Sequence, residues 1–464
     1  MSLAAPHPAT PDPAALADEA ARFLSKNPGV ERLDVMLVDP NGIARGKWLP
    51  GDAVKKVFKS GVAFPYSLLG LDVWGREVPE TGLHIASGDR DGIALPVPGT
   101  LALKPEAAAN AAGVLLTMHD PAHVPFLGDP RNGAAVLVDR LAARGLTATV
   151  AFELEFYLLD HRGADGMPPK PVFSTHHEPV RQNMYALDDL DVLAPFLDDV
   201  RRAAEAQGIP ADAAVSEAAA GQFEVNLYHR DAPLRAADDA ILLRRLICGM
   251  ARKHGFTATF MAKPFDDWPG NGMHIHAAFH QDAGPDKTAN IFDGEAGEAR
   301  LGHAVTGVLD TMDAALLAFI STFNGFRRLQ PGSYAPSAKC WGHDNRSVAV
   351  RIPAERGPAR RLEHRIAGAD ANPYLVLIGV LAGMLAGLDG EQAPPLANEG
   401  NAYERTDLPR LTHLMDEALP AFGASDFARD AFGETLHRMV AAIKAQELAT
   451  FRTTVTDLER STFL

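Results

Sequence analysis

The chain has 464 residues, room for one large core or two to three domains, and its 47% hydrophobic and 22% charged composition is that of a soluble globular protein. Lys and Arg number 44 against 59 Asp and Glu, a net of −15 that excludes nucleic acid or an anionic membrane as a general partner but leaves room for a phosphate compound held by a local Arg cluster. Two cysteines, Cys248 and Cys340, build no disulfide framework and read as small buried hydrophobes in a reducing cytoplasm.

From the N-terminus, residues 1–12 read as a loose tail with no basic-then-apolar leader. Asp12-Pro13 offers an N-cap and a first-turn proline, so a helix is expected to about Lys26. Two alternating runs, Leu33–Val38 and Ile43–Leu49, flank Asp39-Pro40-Asn41-Gly42, a hairpin signal. Residues 50–125 are rich in Gly and Pro and read as strand and loop. Asp129-Pro130 opens a helix ending near Gly145, and further helices are expected near 189–207, 235–254, 299–322, 371–388 and 425–448. The uncharged run of 18 residues from Ala371 to Leu388 is at the lower edge of membrane-spanning length, but standing alone and rich in Ala and Gly it reads as a buried core helix. The expected division is a tail and helix over 1–27, a small α+β unit over 28–125 and a large unit over 126–464.

Five short strands between these helices place apolar side chains on one face and chemistry on the other, because residues i and i+2 of a strand share a face. Ala151–Asp160 aligns Glu153 and Glu155; Gln222–Tyr228 aligns Gln222, Glu224 and Asn226, with Glu217 just upstream. Met273–Phe279 presents His274 and His276, Val348–Ile352 presents Arg351, and Arg361–Ile366 presents Arg361, Glu363 and Arg365. One Glu-x-Glu strand is ordinarily a solvated face. Five such strands in one sheet would bring together five carboxylates, two imidazoles and three guanidiniums, counting Glu217. Carboxylates so crowded repel unless cations separate them, and this donor set suits Mg²⁺ or Mn²⁺. The arginines need anions, and metals with arginines around one cavity is the equipment of phosphoryl transfer. No P-loop pattern is present.

The ordered segments FELEF, SEAAAGQFEVN, GNGMHIH, RRLQPGSYAP, NRSVAVRIP and RRLEHRIAGADANPYL resemble the glutamine synthetase superfamily over nearly the whole chain. The resemblance implies an α+β fold: a β-grasp N-terminal domain, and a catalytic domain on an open, curved antiparallel sheet with flanking helices. It implies homo-oligomers of hexameric rings, usually stacked as a dodecamer, with active sites at subunit interfaces. It assigns Glu155, Glu217 and Glu224 to one metal and Glu153, His274 and Glu363 to the metal that holds the ATP phosphates, with two to three Mg²⁺ or Mn²⁺ per site. Arg328 and Arg365 correspond to glutamate binders, Gly270 to a backbone contact with glutamate, Arg346 and Arg351 to phosphate contacts, and Arg361 and His276 to the nucleotide side. The implied substrates are glutamate, ATP and a small amine, joined through γ-glutamyl phosphate.

The chain departs from glutamine synthetases on the ammonium side. Pro65 stands where an aspartate helps bind ammonium, and Tyr334 replaces the glutamate of the flap, here Pro331-Gly332-Ser333-Tyr334-Ala335-Pro336. Losing two carboxylates weakens capture of a small cation and leaves room for a carbon-bearing amine, as in the γ-glutamylputrescine and γ-glutamylpolyamine synthetase branch. The segment GLDVWGREVPETGL (70–83) is also similar to that branch, and Asp72, Trp74 and Glu77 are candidates for an amine pocket. Pro269 and Ala278 are smaller departures near the glutamate and ATP contacts, and the loop around Tyr403 is not of the adenylylated type. The rival readings are a true glutamine synthetase, a metal-dependent hydrolase built on His274-x-His276, which leaves Arg346, Arg351 and Arg365 without a task, and a non-catalytic homologue, which the filled ligand positions oppose.

Overall fold

Two mixed sheets organise the chain in a computed structural model that describes residues 11–107, 110–160, 184–282, 288–330 and 335–464. Helix α1 (Pro13–Lys26) starts where Asp12 accepts a hydrogen bond from the Ala14 amide. The hairpin β1 (Arg32–Val38) and β2 (Ala44–Pro50) follows in antiparallel register, Val38 opposite Ala44. Its turn is closed by Asp39 Oδ1, which accepts from the amides of Asn41 and Ile43, and by Gly42 at φ +73°. After α2 (Val54–Ser60) come β3 (Val62–Pro65), β4 (Asp91–Pro96), β5 (Ala102–Leu103) and β6 (Ala111–His119). The sheet order is β2-β1-β6-β4-β3, with β1 and β6 parallel and β5 antiparallel to β6.

Both faces of the central strands β1 and β6 are buried. Leu33, Val35 and Leu37 of β1 pack with Val57 and Phe58 of α2, whereas Met36 and Val38 join the core of the large sheet. That is why β1 and β6 read as nearly unbroken apolar runs.

Helix α3 (Pro130–Ala142), capped by Asp129, leads into the long β7 (Leu146–Asp160). Then follow α4 (Leu187–Ala206), β8 (Ala211–Ser216), β9 (Gln222–Leu227), α5 (Pro233–Lys253), β10 (Phe256–Thr259), β11 (Met273–Asp282) and β12 (Thr288–Asn290). Helices α6 (Gly294–Asp310) and α7 (Met312–Phe319) precede the short strands β13 (Trp341–His343), β14 (Val350–Ile352) and β15 (Leu362–His364). The chain ends in α8 (Pro373–Gly390), α9 (Met415–Ala424), α10 (Asp426–Phe432), α11 (Glu434–Thr453) and α12 (Asp457–Phe463). The second sheet runs β13-β14-β15-β11-β7-β9-β8, with β10 on the far end of β7 and β12 on β11; it is antiparallel except for the β13–β14 pair.

One face of this sheet is apolar. Phe152, Leu154, Phe156, Ile275, Phe279, Phe223 and Val225 all lie in one buried core with residues of α3, α5, α6, α7 and α8. Among the described residues α8 is the one helix long and apolar enough to cross a membrane, and 78% of it is buried inside the protein. Glycines let it sit tight against α6: a Cβ on Gly307 would stand 2.2 Å from the Gly383 carbonyl oxygen.

Three helical expectations need correction. The run 299–322 is two helices, broken at Thr311, whose hydroxyl and amide both turn to the Gly307 carbonyl. The run 425–448 is likewise two, broken at Gly433 with φ +75°. Helices α2, α9 and α12 lie in stretches without an expected helix. The cysteines are free, Cys340 buried and Cys248 half-buried.

Candidate active site

The strand register gathers the polar faces. On the three central strands His274 of β11 stands opposite Glu153 of β7, which stands opposite Asn226 of β9. One step along, Glu155 faces Glu224 across β7 and β9, and on the other flank His276 faces Glu363 of β15, which faces Arg351 of β14. Cross-strand neighbours lie about 4.5–5.5 Å apart at Cβ, so alternation on five separate segments becomes one cluster.

Glu153 is the hub. Its Oε2 is 2.9 Å from His274 Nδ1 and its Oε1 is 2.9 Å from His276 Nε2. His274 Nε2 lies 3.8 Å from Glu155 Oε1, and Glu155 Oε2 accepts from the Gly272 amide at 2.7 Å. Glu363 is clasped from both sides, by Arg351 Nη1 at 2.7 Å and by Arg365 Nη1. Arg351 also donates to Asp344, and Arg361 Nε donates to His276 Nδ1 at 3.1 Å. Arg328, almost fully buried, donates to the Ile366 and Ala367 carbonyls. Gln222 Nε2 donates to Gly270 O and Asn271 Oδ1, which holds the backbone of the 269–272 loop beside the cluster.

The electrostatics divide the cluster. Burial works against ionised Glu153, but His276 and His274 outweigh it and hold that carboxyl well below the usual range. Burial likewise opposes ionised Glu363, and Arg365 and the two imidazoles bring it down to about 2. On the opposite flank Arg346 offsets only part of the effect on Glu217. Burial, then Glu155, raises Glu217 to about 7, and burial with Glu153 and Glu155 pushes Glu224 well above the ordinary value.

Beside these groups is a cavity of about 230 Å³ whose lining includes Glu155, Glu217, Glu224, Gly270, Arg328 and Arg365, with His274, Arg346 and Pro269. Met184 and Tyr185 also line it. They come from a stretch just before α4 that carries no periodic pattern, so nothing in the sequence marked them. Gln222 was visible on its strand face but without a task. His229, whose ring is 5.8 Å from that of His276, had no signal either.

The structure thus brings together Glu153, Glu155, Glu217, Glu224, His274, His276, Glu363, Gly270, Arg328, Arg346, Arg351, Arg361 and Arg365. It does not bring Pro65 among them: Pro65 ends β3, an edge strand of the other sheet, opposite Asp91, and does not line the cavity. Tyr334 lies outside the described residues. Asp72 is not a pocket residue either. It is fully buried and accepts from the amides of Trp74 and Arg76, organising its own turn, while Trp74 packs on Phe451 of α11.

The donor set fits oxygen-preferring divalent cations. Ligand atoms of Glu153, His276 and Glu363 lie within 4.8 Å of one another, as do those of Glu153, Glu224 and His274. These groups cut across the two expected trios, with His276 joining one of them. The carboxylates that raise one another's proton affinity are those a cation would relieve.

The comparisons with known proteins agree with this geometry. The family model for the glutamine synthetase catalytic domain matches residues 127–463. The chain is 40% identical over 449 residues to the γ-glutamylputrescine synthetase of Escherichia coli (strain K12), covering 96% of this chain and 94% of that one. It is 30% identical over 454 residues to a glutamate–isopropylamine ligase of a Pseudomonas species, covering 95% and 96%. A glutamine synthetase of Thermotoga maritima is 29% identical over 462 residues, covering 96% and 99%. The fold superposes on the ADP complex of GmaS with a TM-score of 0.83 at 24% identity, over 96% of this chain and 99% of that one. The carboxylate-lined sheet and the match along its whole length place this chain in the glutamine synthetase family.

Proposed function

We infer that the chain is an ATP-dependent ligase that joins the γ-carboxylate of glutamate to a carbon-bearing amine, a putrescine-like or other alkylamine, through γ-glutamyl phosphate. The observation that carries the reading is the cavity in which Glu155, Glu217 and Glu224 face Arg328, Arg346 and Arg365. Carboxylates on one side and guanidiniums on the other accommodate a metal–phosphate complex and an amino-acid carboxylate at once.

In this reading Glu155, Glu217 and Glu224, and Glu153, His274 and Glu363, hold two to three Mg²⁺ or Mn²⁺, with His276 beside them. Bound metal supplies charge neutralisation for the phosphates. Arg328 and Arg365 orient the carboxylates of glutamate, and the Gly270 backbone, held by Gln222, contacts its amino-acid end. Arg346, Arg351 and Arg361 take the phosphates and nucleotide, which requires Arg351 and Arg365 to share themselves with Glu363. The γ-carboxylate oxygen of glutamate then attacks the γ-phosphorus of ATP, and the bond to the β-phosphate oxygen breaks to release ADP. The amine nitrogen attacks the acyl phosphate carbon, the C–O bond breaks, phosphate leaves, and the nitrogen loses a proton. Positioning and charge neutralisation supply most of the rate.

The choice of a carbon-bearing amine over ammonium is supported by Tyr334 in place of the flap glutamate and by the names of the two amine ligases among the relatives. The cavity lining of Met184, Tyr185 and Pro269 is in keeping with it. In this reading the first 27 residues are a tail and helix, 28–125 a β-grasp domain and 126–464 the catalytic domain, assembled as a cytoplasmic dodecamer of two hexameric rings. The test is phosphate release from ATP with Mg²⁺ and glutamate across ammonium, methylamine, ethanolamine, putrescine and spermidine. An alkylamine or diamine is expected to give the highest kcat/KM. Ammonium as the best substrate would make the chain a glutamine synthetase, and no turnover with any amine would overturn the reaction class.

A further inference from the structure

A second cavity, of about 890 Å³, lies between the two sheets and is separate from the carboxylate cluster. The hairpin β1–β2 forms one wall, α5 another, and Thr322 and Asp370 the inner end. None of its lining residues has a task in the reaction, yet it shares a wall with the active site. The 366–371 loop that takes the Arg328 hydrogen bonds on one side is gripped on the other by Arg244, whose Nη1 donates to the carbonyls of Ala369 and Ala371 at 2.8 and 2.9 Å.

The charges of this cavity are unevenly spent. Asp34 is consumed by Arg32 at 2.8 Å and Lys104 at 2.5 Å, and Lys253 donates to the Pro105 carbonyl. Asp370 is different. Thr322 donates to its Oδ2 at 2.8 Å, but its Oδ1 is buried and has no hydrogen-bond partner. A buried carboxylate oxygen left bare calls for a donor, and a cationic one best satisfies it. At the other end, Arg252 is exposed on α5, and no ion pair or hydrogen bond engages it among the described residues. Arg244 marks the level of Asp370 on α5, and Arg252 is two turns further on, about 12 Å along the axis at 1.5 Å per residue. Ile241, Cys248, Phe260 and Val73 supply apolar lining.

We propose that this cavity is a second ligand site, for an extended zwitterion with a primary ammonium at one end and a carboxylate at the other. The ammonium meets Asp370, the carboxylate meets Arg252, and a methylene chain lies along the apolar lining between them. A γ-glutamyl amide of a diamine carries these two end charges, with an amide within its chain and a second ammonium beside the carboxylate, so the site is suited to sense the product of the reaction; that identification, unlike the charge layout, rests on the ligase reading above.

The test is calorimetric titration of the full chain with 8-aminooctanoate, without ATP or glutamate, against octanoate and octylamine as single-charge controls. One zwitterion is expected to bind per chain, with each control at least tenfold weaker. Arg252→Ala and Asp370→Asn should each weaken binding at least tenfold, while Arg346→Ala, at the active-site cavity, leaves it unchanged. Arg252 is exposed, so its replacement carries the test even if Asp370→Asn does not fold. No binding, equal binding of octanoate, or loss of binding in Arg346→Ala but not in Arg252→Ala would overturn the proposal. Because no turnover is involved, a failed amine panel and a failed titration are separate results.

Discussion

Two of the polar clusters buried in this molecule are built on opposite principles. Where the hairpin turn meets α11, Lys444, 1% exposed, donates to Asn41 and to Glu447 Oε2, and Glu447 Oε1 accepts from the Val73 amide. Around it Asp39 pairs with Arg45, Asp72 with Arg76 and Gln446, and Asn372 donates to the Asp39 carbonyl. Each charge there has its partner within the protein. In the active site five carboxylates crowd one face, Glu217 and Glu224 are pushed up in pKa by burial and by each other's neighbours, and Asn226 Oδ1 and Gln222 Oε1 have no partner. A finished network holds two parts of a fold together. An unfinished one is completed by what binds to it.

The contrast can be broken most strongly at Lys444. Lys444→Ala leaves Glu447 buried without a counter-charge and should cost about 3–5 kcal/mol of stability, read as a lower denaturation midpoint, with kcat of the folded fraction nearly unchanged. A comparable loss of activity without loss of stability would put Lys444 in the wrong class. Next comes Glu153→Gln, which removes the hub of the active-site cluster while keeping its shape. Turnover should fall by roughly 10²–10³-fold, equivalent to about 2.7–4 kcal/mol, with the fold intact by circular dichroism. Mn²⁺ at about 100 times its dissociation constant should stabilise the protein by about 2.7 kcal/mol, and a chelator should reverse this. A thermal shift with Mn²⁺ that persists undiminished in Glu153→Gln, whose carboxylate belongs to both candidate groups, would show that the ion binds elsewhere. Glu224→Gln itself should stabilise the metal-free chain, by about 1 kcal/mol, because it removes one of the mutually repelling carboxylates; a drop in melting temperature would mean that the repulsion argument fails. The smallest effect is expected at Trp74, whose ring is tilted against Phe451, which in turn stacks on Phe323 next to the turn bearing Arg328. Trp74→Ala should cost about 0.5–1.5 kcal/mol of stability and leave the ranking of amines unchanged, whereas an altered ranking would return Trp74 to the amine pocket.

Much of the site was legible because a strand's period is two. Glu153 and Glu155, His274 and His276, and Glu363 and Arg365 declare a common face without knowledge of any partner strand, and the apolar residues between them declare the core. Caps and turns were local in the same way: the capping bonds of Asp12 and Asp129 and the Asp39 bonds that close the Asn41-Gly42 turn reach amides within four residues. The breaks at Thr311 and Gly433 were less visible, since the flanking residues suit helix on both sides and the division depends on what each half packs against.

Other features belonged to no local pattern. Asp72 in its exposed-looking Gly-rich segment is the fully buried organiser of a turn, because α11, some 370 positions later, covers it. Pro65, next to a signature stretch, ends on an edge strand away from the cavity. Met184, Tyr185 and His229 enter or flank the site through chain geometry alone.

The sequence by itself determined which residue types were available, which faces they shared and which family of chemistry they suited, since side-chain direction and acid–base character are properties of a few neighbouring residues. Only the tertiary structure decided the register that sets His274 against Glu153 and Glu363 against His276, the unequal protonation of the carboxylates, and the cavity closed between hairpin and α5. Those depend on distances between atoms remote along the chain, and both Coulomb energy and desolvation are fixed by those distances.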